Sequence, residues 1–268
     1  MKEESKLSRE TLLIQRRELM ASLKYASFIQ RAVLPDQKYM ENILHDFFVL
    51  HKPRELVSGD FYYCSRKEEY IVAAAGDCTG HGVPGALMSI MGVSFLNEIL
   101  STRGPVKSSR ILNLLRERVM RALHQKGHEL ENKDAMDMAL CVFNPKTLEL
   151  QYSGANNPLY HIRKNVLTEI KADKMPVGIN AIEEESFTSH NLQLKPGDIV
   201  YIFSDGYADQ FGGPQNKKFK YGPLKELLIG ISNQPMEKQR DELDKVITAW
   251  RGDEFQVDDI LIFGIKFV

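Results

Sequence analysis

Four aspartates recur in one kind of setting. Asp60 stands in LVSGDFYY, Asp77 in AAAGDCTGHG, Asp205 in YIFSDGYAD and Asp258 in FQVDDILIFG, each at the edge of an apolar run beside glycine or a small polar residue. A carboxylate at the margin of a core needs a cation or several hydrogen bonds, and several that converge make a negative site that a divalent ion neutralises. One strand-end aspartate alone is ordinarily a turn cap. Four in the same context point to a shared site. Oxygen donors, without a thiolate pair, favour the hard ions Mg²⁺ or Mn²⁺ over zinc.

The segment GDCTGHGVPGALMS is the most informative stretch. The run YIVAAA leads into Asp77, then Gly80, Gly82 and Gly85 permit positive φ or close backbone approach, and a helix is expected to open near Val83 and Pro84. The loop matches neither G-x-x-x-x-G-K-[ST] nor G-x-G-x-x-G, so nucleotide cradling by those devices is not supported. His81 is the one histidine inside the candidate site, and its type allows either a hydrogen-bonding brace or a proton donor. A Ser/His/Asp hydrolase is set aside. There is no G-x-S-x-G elbow, and Ser58, Ser153 and Ser204 have no histidine partner that the sequence identifies.

Short β-type runs must position these residues: FFVLHKP, FYYCS, YIVAAAG, MALCVFN, LELQYSG, PLYHIRK, DIVYIFS and ILIFGIKFV, each bounded by turn residues. Helical patterns fall at 83–101, 108–125, 223–232 and 235–250, the last placing the single tryptophan, Trp250, on its expected buried face. Strands, two helices, a strand block, two helices and a final strand predict an α+β fold with antiparallel sheet. Ahead of them, Ser8 to Leu34 contains no Gly or Pro, and Leu12, Leu19, Ala26 and Val33 recur every seven residues. This predicts a long amphipathic helix with Ser8 as N-cap and Pro35 as stop. The chain therefore divides into a linker or regulatory helix, 1–40, and a domain, 41–268. The helix either packs on its own domain or forms a short coiled coil that makes a homodimer.

A length of 268 residues fits one large domain with an appendage. The net charge of −1 lacks the basic footprint of a nucleic-acid binder, so no nucleic-acid partner is expected. With 43% apolar and 26% charged residues the chain has the composition of a folded protein, not a disordered one. Cys64, Cys78 and Cys141 are odd in number and scattered, which suggests no disulfide framework and a reducing, cytoplasmic setting. The charged start MKEESKLSRE and the brevity of the densest apolar run, Ile71–Ala75, predict neither secretion signal nor membrane span.

In family order, IQRAVLP, VSGDFYY, GDCTGHGVPGALMS, MDMALCVFNPKTLELQYSGANNPLYHI, PVGI, LKPGDIVYIFSDGYAD and VDDILIF resemble the SpoIIE-like branch of the metal-dependent PPM serine/threonine protein phosphatases, over about Ala26 to Val268. The resemblance implies a central β-sandwich of two antiparallel sheets with helices outside and a two-metal site, for Mn²⁺ or Mg²⁺, at one edge. By that likeness Asp77 bridges both ions and the Cys78 carbonyl adds a ligand. Asp205 and Asp258 hold one ion, Asp60 the other partly through water, and Asp137 is a candidate for an additional, weaker site. Asp259 is given a supporting role. Tyr63 stands where many relatives have a second Asp, and Leu261 where Thr is frequent.

The implied chemistry is hydrolysis of phosphoserine or phosphothreonine by metal-activated water, without a covalent phosphoenzyme. Arg54 is a candidate for holding phosphate and His81 for protonating the leaving oxygen. The implied partner is a phosphorylated signalling protein, such as an anti-sigma-factor antagonist-like domain in a bacterial partner-switching pathway, met by a rim from about Asn156 to Gly178. Two other readings stand beside it. One is a catalytically silent phosphatase-like binding module, disfavoured because all four aspartates are retained. The other is a nucleotidyl cyclase, for which no triphosphate-binding constellation is found.

Overall fold

The computed structural model describes residues 2–102, 104, 106–126, 132–180 and 186–268, with side chains from residue 9 onward. Helix α1 (Lys2–Val33) and the short α2 (Gln37–Ile43) lead into strands β1 (Asp46–Lys52), β2 (Phe61–Lys67) and β3 (Tyr70–Cys78). Helices α3 (Gly82–Ser101) and α4 (Ser108–Ala122) follow. Next come β4 (Met136–Phe143), β5 (Glu149–Ala155), β6 (Leu159–Arg163), β7 (Val166–Ile170), β8 (His190–Gln193) and β9 (Ile199–Phe203). The one-turn α5 (Gly206–Asp209), a hairpin of β10 (Phe211–Gly212) and β11 (Lys217–Lys218), helices α6 (Tyr221–Ile231) and α7 (Met236–Arg251), and β12 (Ile260–Lys266) complete the order.

Two five-stranded antiparallel sheets, ordered β2-β3-β4-β5-β8 and β1-β12-β9-β6-β7, stack face to face, the sandwich that the family resemblance implies. Alternation along β3 shows why its sequence is apolar almost throughout. Ile71, Ala73 and Ala75 meet Ile202, Leu261 and Phe263 of the facing sheet. Val72 and Ala74 point the other way, into a layer with Leu96 of α3 and Leu112 and Leu115 of α4. The second sheet is covered likewise by Leu224 and Leu228 of α6 and Leu243 and Ile247 of α7. The result is four layers, helices outside and sheets within.

Several boundaries differ from the sequence reading. Among the described residues α3 alone is long and apolar enough to cross a membrane, with 20 residues at a hydropathy of 1.5. Its apolarity serves packing, with Met88, Val93, Leu96 and Ile99 buried against the first sheet and α4. Helix α1 begins at Lys2, so Ser8 lies inside it and does not cap it, and it stops at Val33 ahead of Pro35. Asp36 then caps α2 by accepting from the Tyr39 amide at 3.2 Å. Trp250 is half-buried: its ring edge meets Phe219 at 5.4 Å and its indole N–H donates to the Gln210 carbonyl at 3.1 Å. Along α1, Leu12, Leu19, Tyr25 and Phe28 stay 61–67% exposed, whereas Gln30 and, just past the helix, Leu34 are buried.

Candidate metal centre

Strand pairing assembles the acidic pole. Asp77, near the end of β3, lies directly opposite Asp137 on β4, which puts two like charges on neighbouring strands. Asp205 follows β9 and Asp258 precedes β12; these two strands are antiparallel neighbours, so the aspartates meet at the same end of the second sheet. Asp77, Cys78, His81, Asp137, Asp205 and Asp258 line a cavity of about 220 Å³ with Thr79 and Gly80. The turn after β3 needs its glycines: Gly80 and Gly82 take φ of 82° and 64°, and a Cβ on Gly85 would lie 2.3 Å from the Gly80 carbonyl oxygen. That contact seats the start of α3 against the cavity floor.

Asp60 sits behind this cavity, only 2% exposed, and its Oδ2 accepts from the Ser204 hydroxyl at 2.6 Å. Ser204 Oγ in turn accepts from the Leu261 amide at 3.0 Å, tying β9 to β12 beside the aspartate. Asp259 is also buried, and accepts from the amides of Arg54 at 2.6 Å and Gly59 at 2.7 Å, which fixes the loop leading into Asp60. Asp258 accepts from the Asp259 amide at 2.8 Å and keeps its carboxylate on the cavity side. Tyr63 turns toward α3, its hydroxyl 2.8 Å from Asn97 Oδ1.

Burial and mutual repulsion outweigh the positive charge near these carboxylates. Burial pushes Asp77 up to about 8, and repulsion from Asp205, Asp258, Asp137 and Asp259 adds to it. Asp205 is raised to about 6 by burial and then by Asp258 and Asp209, against a smaller opposing effect of Lys218. Burial raises Asp60 well above the carboxylate range, with Asp77 next in effect. Asp137 is raised by burial, partly offset by the Asn156 side chain, whose Nδ2 donates to its Oδ1 at 2.7 Å. Asp258 is raised by burial too; the Asp259 amide opposes this, as do the charges of His81 and Arg54.

Sequence reasoning missed three residues here. Glu55 Oε1 lies 2.7 Å from His81 Nδ1 and orients the imidazole at the cavity mouth. Thr79 grips the strand ahead of Asp137, with its hydroxyl and amide both bonded to Ala135. Gln30 of α1 accepts from the Ser58 amide at 3.1 Å and donates to the Ser58 carbonyl at 2.6 Å and Ser89 Oγ at 2.8 Å. It thereby fastens α1 to the Asp60 loop and to α3. KPRELVSGD presents Glu55 as one more solvated charge, and Gln30, although inside IQRAVLP, is not singled out there from its polar neighbours.

Among the described residues no group of three or more His, Cys, Asp or Glu is already gathered to hold an ion. The donor set nevertheless fits hard divalent cations: four carboxylates and a strand-end carbonyl border one cavity, a fifth carboxylate backs it, and burial with mutual repulsion opposes their ionisation.

The two-sheet sandwich with helices outside is the fold of solved PP2C phosphatase domains. In structure the chain is similar to the SiaA-PP2C domain of Pseudomonas aeruginosa, with a TM-score of 0.85 and 28% identity over 95% of this chain and 99% of that one. It is also similar in fold to the PP2C domain of SpoIIE from Bacillus subtilis, solved with a fragment of its regulatory domain, at a TM-score of 0.67 and 18% identity over 82% of this chain and 62% of that one. Phosphoserine phosphatase RsbU of Bacillus subtilis is 24% identical over 206 residues, 75% of this chain; the chain spans 57% of that curated relative's length. The family model described as stage II sporulation protein E (SpoIIE) matches residues 67–268, and the chain belongs to that family. Asp77, Asp137, Asp205 and Asp258 fall inside the matched range and Asp60 just before it.

Proposed function

We propose that this chain hydrolyses phosphoserine or phosphothreonine on a signalling protein, with two Mn²⁺ or Mg²⁺ ions held by Asp77, the Cys78 carbonyl, Asp205, Asp258 and, from behind, Asp60. Asp137, half-buried and bonded to Asn156, is suited to a peripheral ion. The observation that carries this reading is the crowding of four half-buried carboxylates around one cavity, with the buried Asp60 behind them and Asp77 pushed up to about 8. Such a site is costly to maintain unless cations occupy it. When bound, the ions would activate water for in-line attack and neutralise charge developing on the phosphoryl group.

The protein's own groups supply the rest. The exposed Arg54 is fixed through its amide by Asp259, beside Asp258, where its guanidinium can reach a phosphate oxygen. His81, oriented by Glu55, has its second ring nitrogen available to protonate the departing serine or threonine oxygen. Gly59 and Asp60 are kept in register by Asp259, Ser58 and Ser204. A catalytically silent module would need no such set of unneutralised carboxylates.

Membership of the SpoIIE family and likeness to RsbU support a place in bacterial partner switching, with a phosphorylated anti-sigma-factor antagonist-like domain as substrate. Three unpaired, buried cysteines accord with a cytoplasmic setting. The residues up to about 40 act in this reading as a regulatory linker: the exposed stripe through Leu12, Leu19, Tyr25 and Phe28 pairs two chains, and Gln30 carries the position of α1 to the Asp60 loop. The test is phosphate release from p-nitrophenyl phosphate and from a phosphoserine peptide, with Mn²⁺ and with EDTA, for the wild type and Asp77→Asn. Turnover that needs Mn²⁺ and falls below about a tenth in the variant supports the assignment; turnover in EDTA, or a variant that keeps more than that, overturns it.

A further inference from the structure

A second concavity of about 400 Å³ adjoins the acidic pole, lined by Asn156, Tyr160, Lys171, Lys174, Tyr221 and Lys225 together with Glu169, Pro158 and Ala172. Asn156 joins the two, lining this groove while its side chain bonds Asp137 of the metal cavity. Tyr221 marks the same junction: burial pushes its hydroxyl up to about 12, and the charges of Asp205, Asp209, Asp77 and Asp137 contribute. A chain whose phosphorylated residue enters the acidic cavity must leave it over a neighbouring surface, and this groove meets that cavity at the Asn156–Asp137 hydrogen bond.

Its charge is opposite to that of the cavity. Lys225 is matched, with Nζ 2.6 Å from Glu169 Oε2 and 5.2 Å from the centre of the Tyr160 ring. Lys171 and Lys174 are exposed and have no ion-pair partner among the described residues. Asp173, between them in sequence, is turned away, its carboxylate accepting from the Thr188 amide at 2.7 Å and hydroxyl at 2.8 Å. Backbone bonds from Asp173 N to Gly154 O at 3.1 Å and from Asn156 N to Asp173 O at 2.9 Å strap this segment to the end of β5. The two lysines are therefore presented from a fixed backbone. Tyr221, 39% exposed, supplies flat apolar surface beside them, while the buried Tyr160 forms the floor under Lys225.

We propose that this groove binds the segment of the phosphoprotein substrate flanking the phosphorylated residue and selects acidic side chains there, through Lys171 and Lys174. The inference rests on the phosphatase reading above. It concerns substrate choice and leaves the chemical step to the aspartate site.

Three phosphoserine peptides that differ only in flanking residues, acidic, amide or basic, would be compared with p-nitrophenyl phosphate, which is too small to reach the groove. The acidic peptide should exceed the amide peptide in kcat/KM about 5–10-fold, chiefly through KM, and lose most of that advantage in 0.5 M salt. Lys171→Glu with Lys174→Glu should reverse the order of acidic and basic peptides and leave p-nitrophenyl phosphate turnover unchanged. An unaltered preference in the double variant, or none in the wild type, overturns the proposal. Fluorescence anisotropy of the labelled peptides reads the same discrimination without turnover, so an inactive wild type would refute the phosphatase reading while the groove was still judged. Binding to phosphatidylserine vesicles with no discrimination among peptides would assign the lysines to a lipid surface and overturn the proposal.

Discussion

Replacing Asp77 with Asn should stabilise the ion-free protein at neutral pH while abolishing its response to manganese. Asp77 is raised from 3.8 to about 8, so the folded state binds a proton that the unfolded chain has released. A carboxylate with a raised folded pKa contributes full stability only below its unfolded value; that contribution is lost as pH rises toward 8. At pH 7 the gap of about 3 pH units from the unfolded value corresponds to about 4 kcal/mol. Asparagine cannot ionise but keeps part of the burial cost, so the expected gain is roughly 1–3 kcal/mol at pH 8 and shrinks toward pH 5. Urea unfolding followed by Trp250 fluorescence in EDTA would measure it. Manganese at 100 times its Kd should then stabilise the wild type by about 2.7 kcal/mol and the variant far less, reversing their order. A variant less stable than wild type in EDTA at pH 8, or an equal manganese shift in both, would refute the reasoning that these carboxylates are held for a cation.

Three other outcomes follow from the same geometry. Because Asp77 and Asp205 hold protons up to about 8 and about 6, Mn²⁺ must displace them, and calorimetry should give at least about tenfold tighter binding at pH 8 than at pH 6, with proton release; equal affinities would contradict this. Glu55→Gln should lower kcat on p-nitrophenyl phosphate about 3–10-fold with little change in KM, and alter the pH–rate profile, since His81 loses its anionic partner; an unchanged profile would remove Glu55 from the mechanism. Asp198→Asn should cost about 1–3 kcal/mol near pH 7 and leave kcat untouched, because it removes the acceptor for Arg163 at a buried position remote from the cavity. Asp198 is depressed in the fold, so this contribution is lost as pH falls through the acidic range, and a deficit that persists at low pH would argue otherwise.

The clustering of the aspartates was legible because each interrupts an apolar run at a glycine or small polar residue, a placement that burial makes expensive. The sheets were legible for a related reason: strands covered on both faces, such as β3 and β9, read as continuous apolar segments. Of the four edge strands, β1 and β2 were legible as well, but β7 and β8 were not. VLTEI in β7 and HNLQ in β8 are half-exposed and offer no apolar run, and the seven residues of α2 are too few to establish a period. Glu55 carries no local signal at all, and Gln30, although inside IQRAVLP, is not set apart there by type or spacing. Their importance arises from what lies opposite them after folding: the Ser58 backbone, 28 residues away from Gln30, and His81, 26 residues away from Glu55.

The two ends of β9 carry carboxylates in opposite electrostatic settings. Asp198 just precedes the strand and Asp205 follows it within two residues, so both sit where an apolar segment meets a turn. Burial raises the cost of charge at each. At Asp198 that cost is outweighed: Arg163 donates at 2.6 and 2.9 Å, the Lys195 amide at 2.9 Å, and His161 Nε2 lies 3.0 Å away, so the group is held below the ordinary carboxylate range. At Asp205 the nearest strong influences after burial are other aspartates, and the group rises to about 6. The same sequence surroundings thus yield a satisfied brace at one pole and a frustrated cluster at the other. The fold supplies arginine and amide donors to one aspartate, yet surrounds the next with like charge, and that contrast is what the proposed cation site at the second pole rests on.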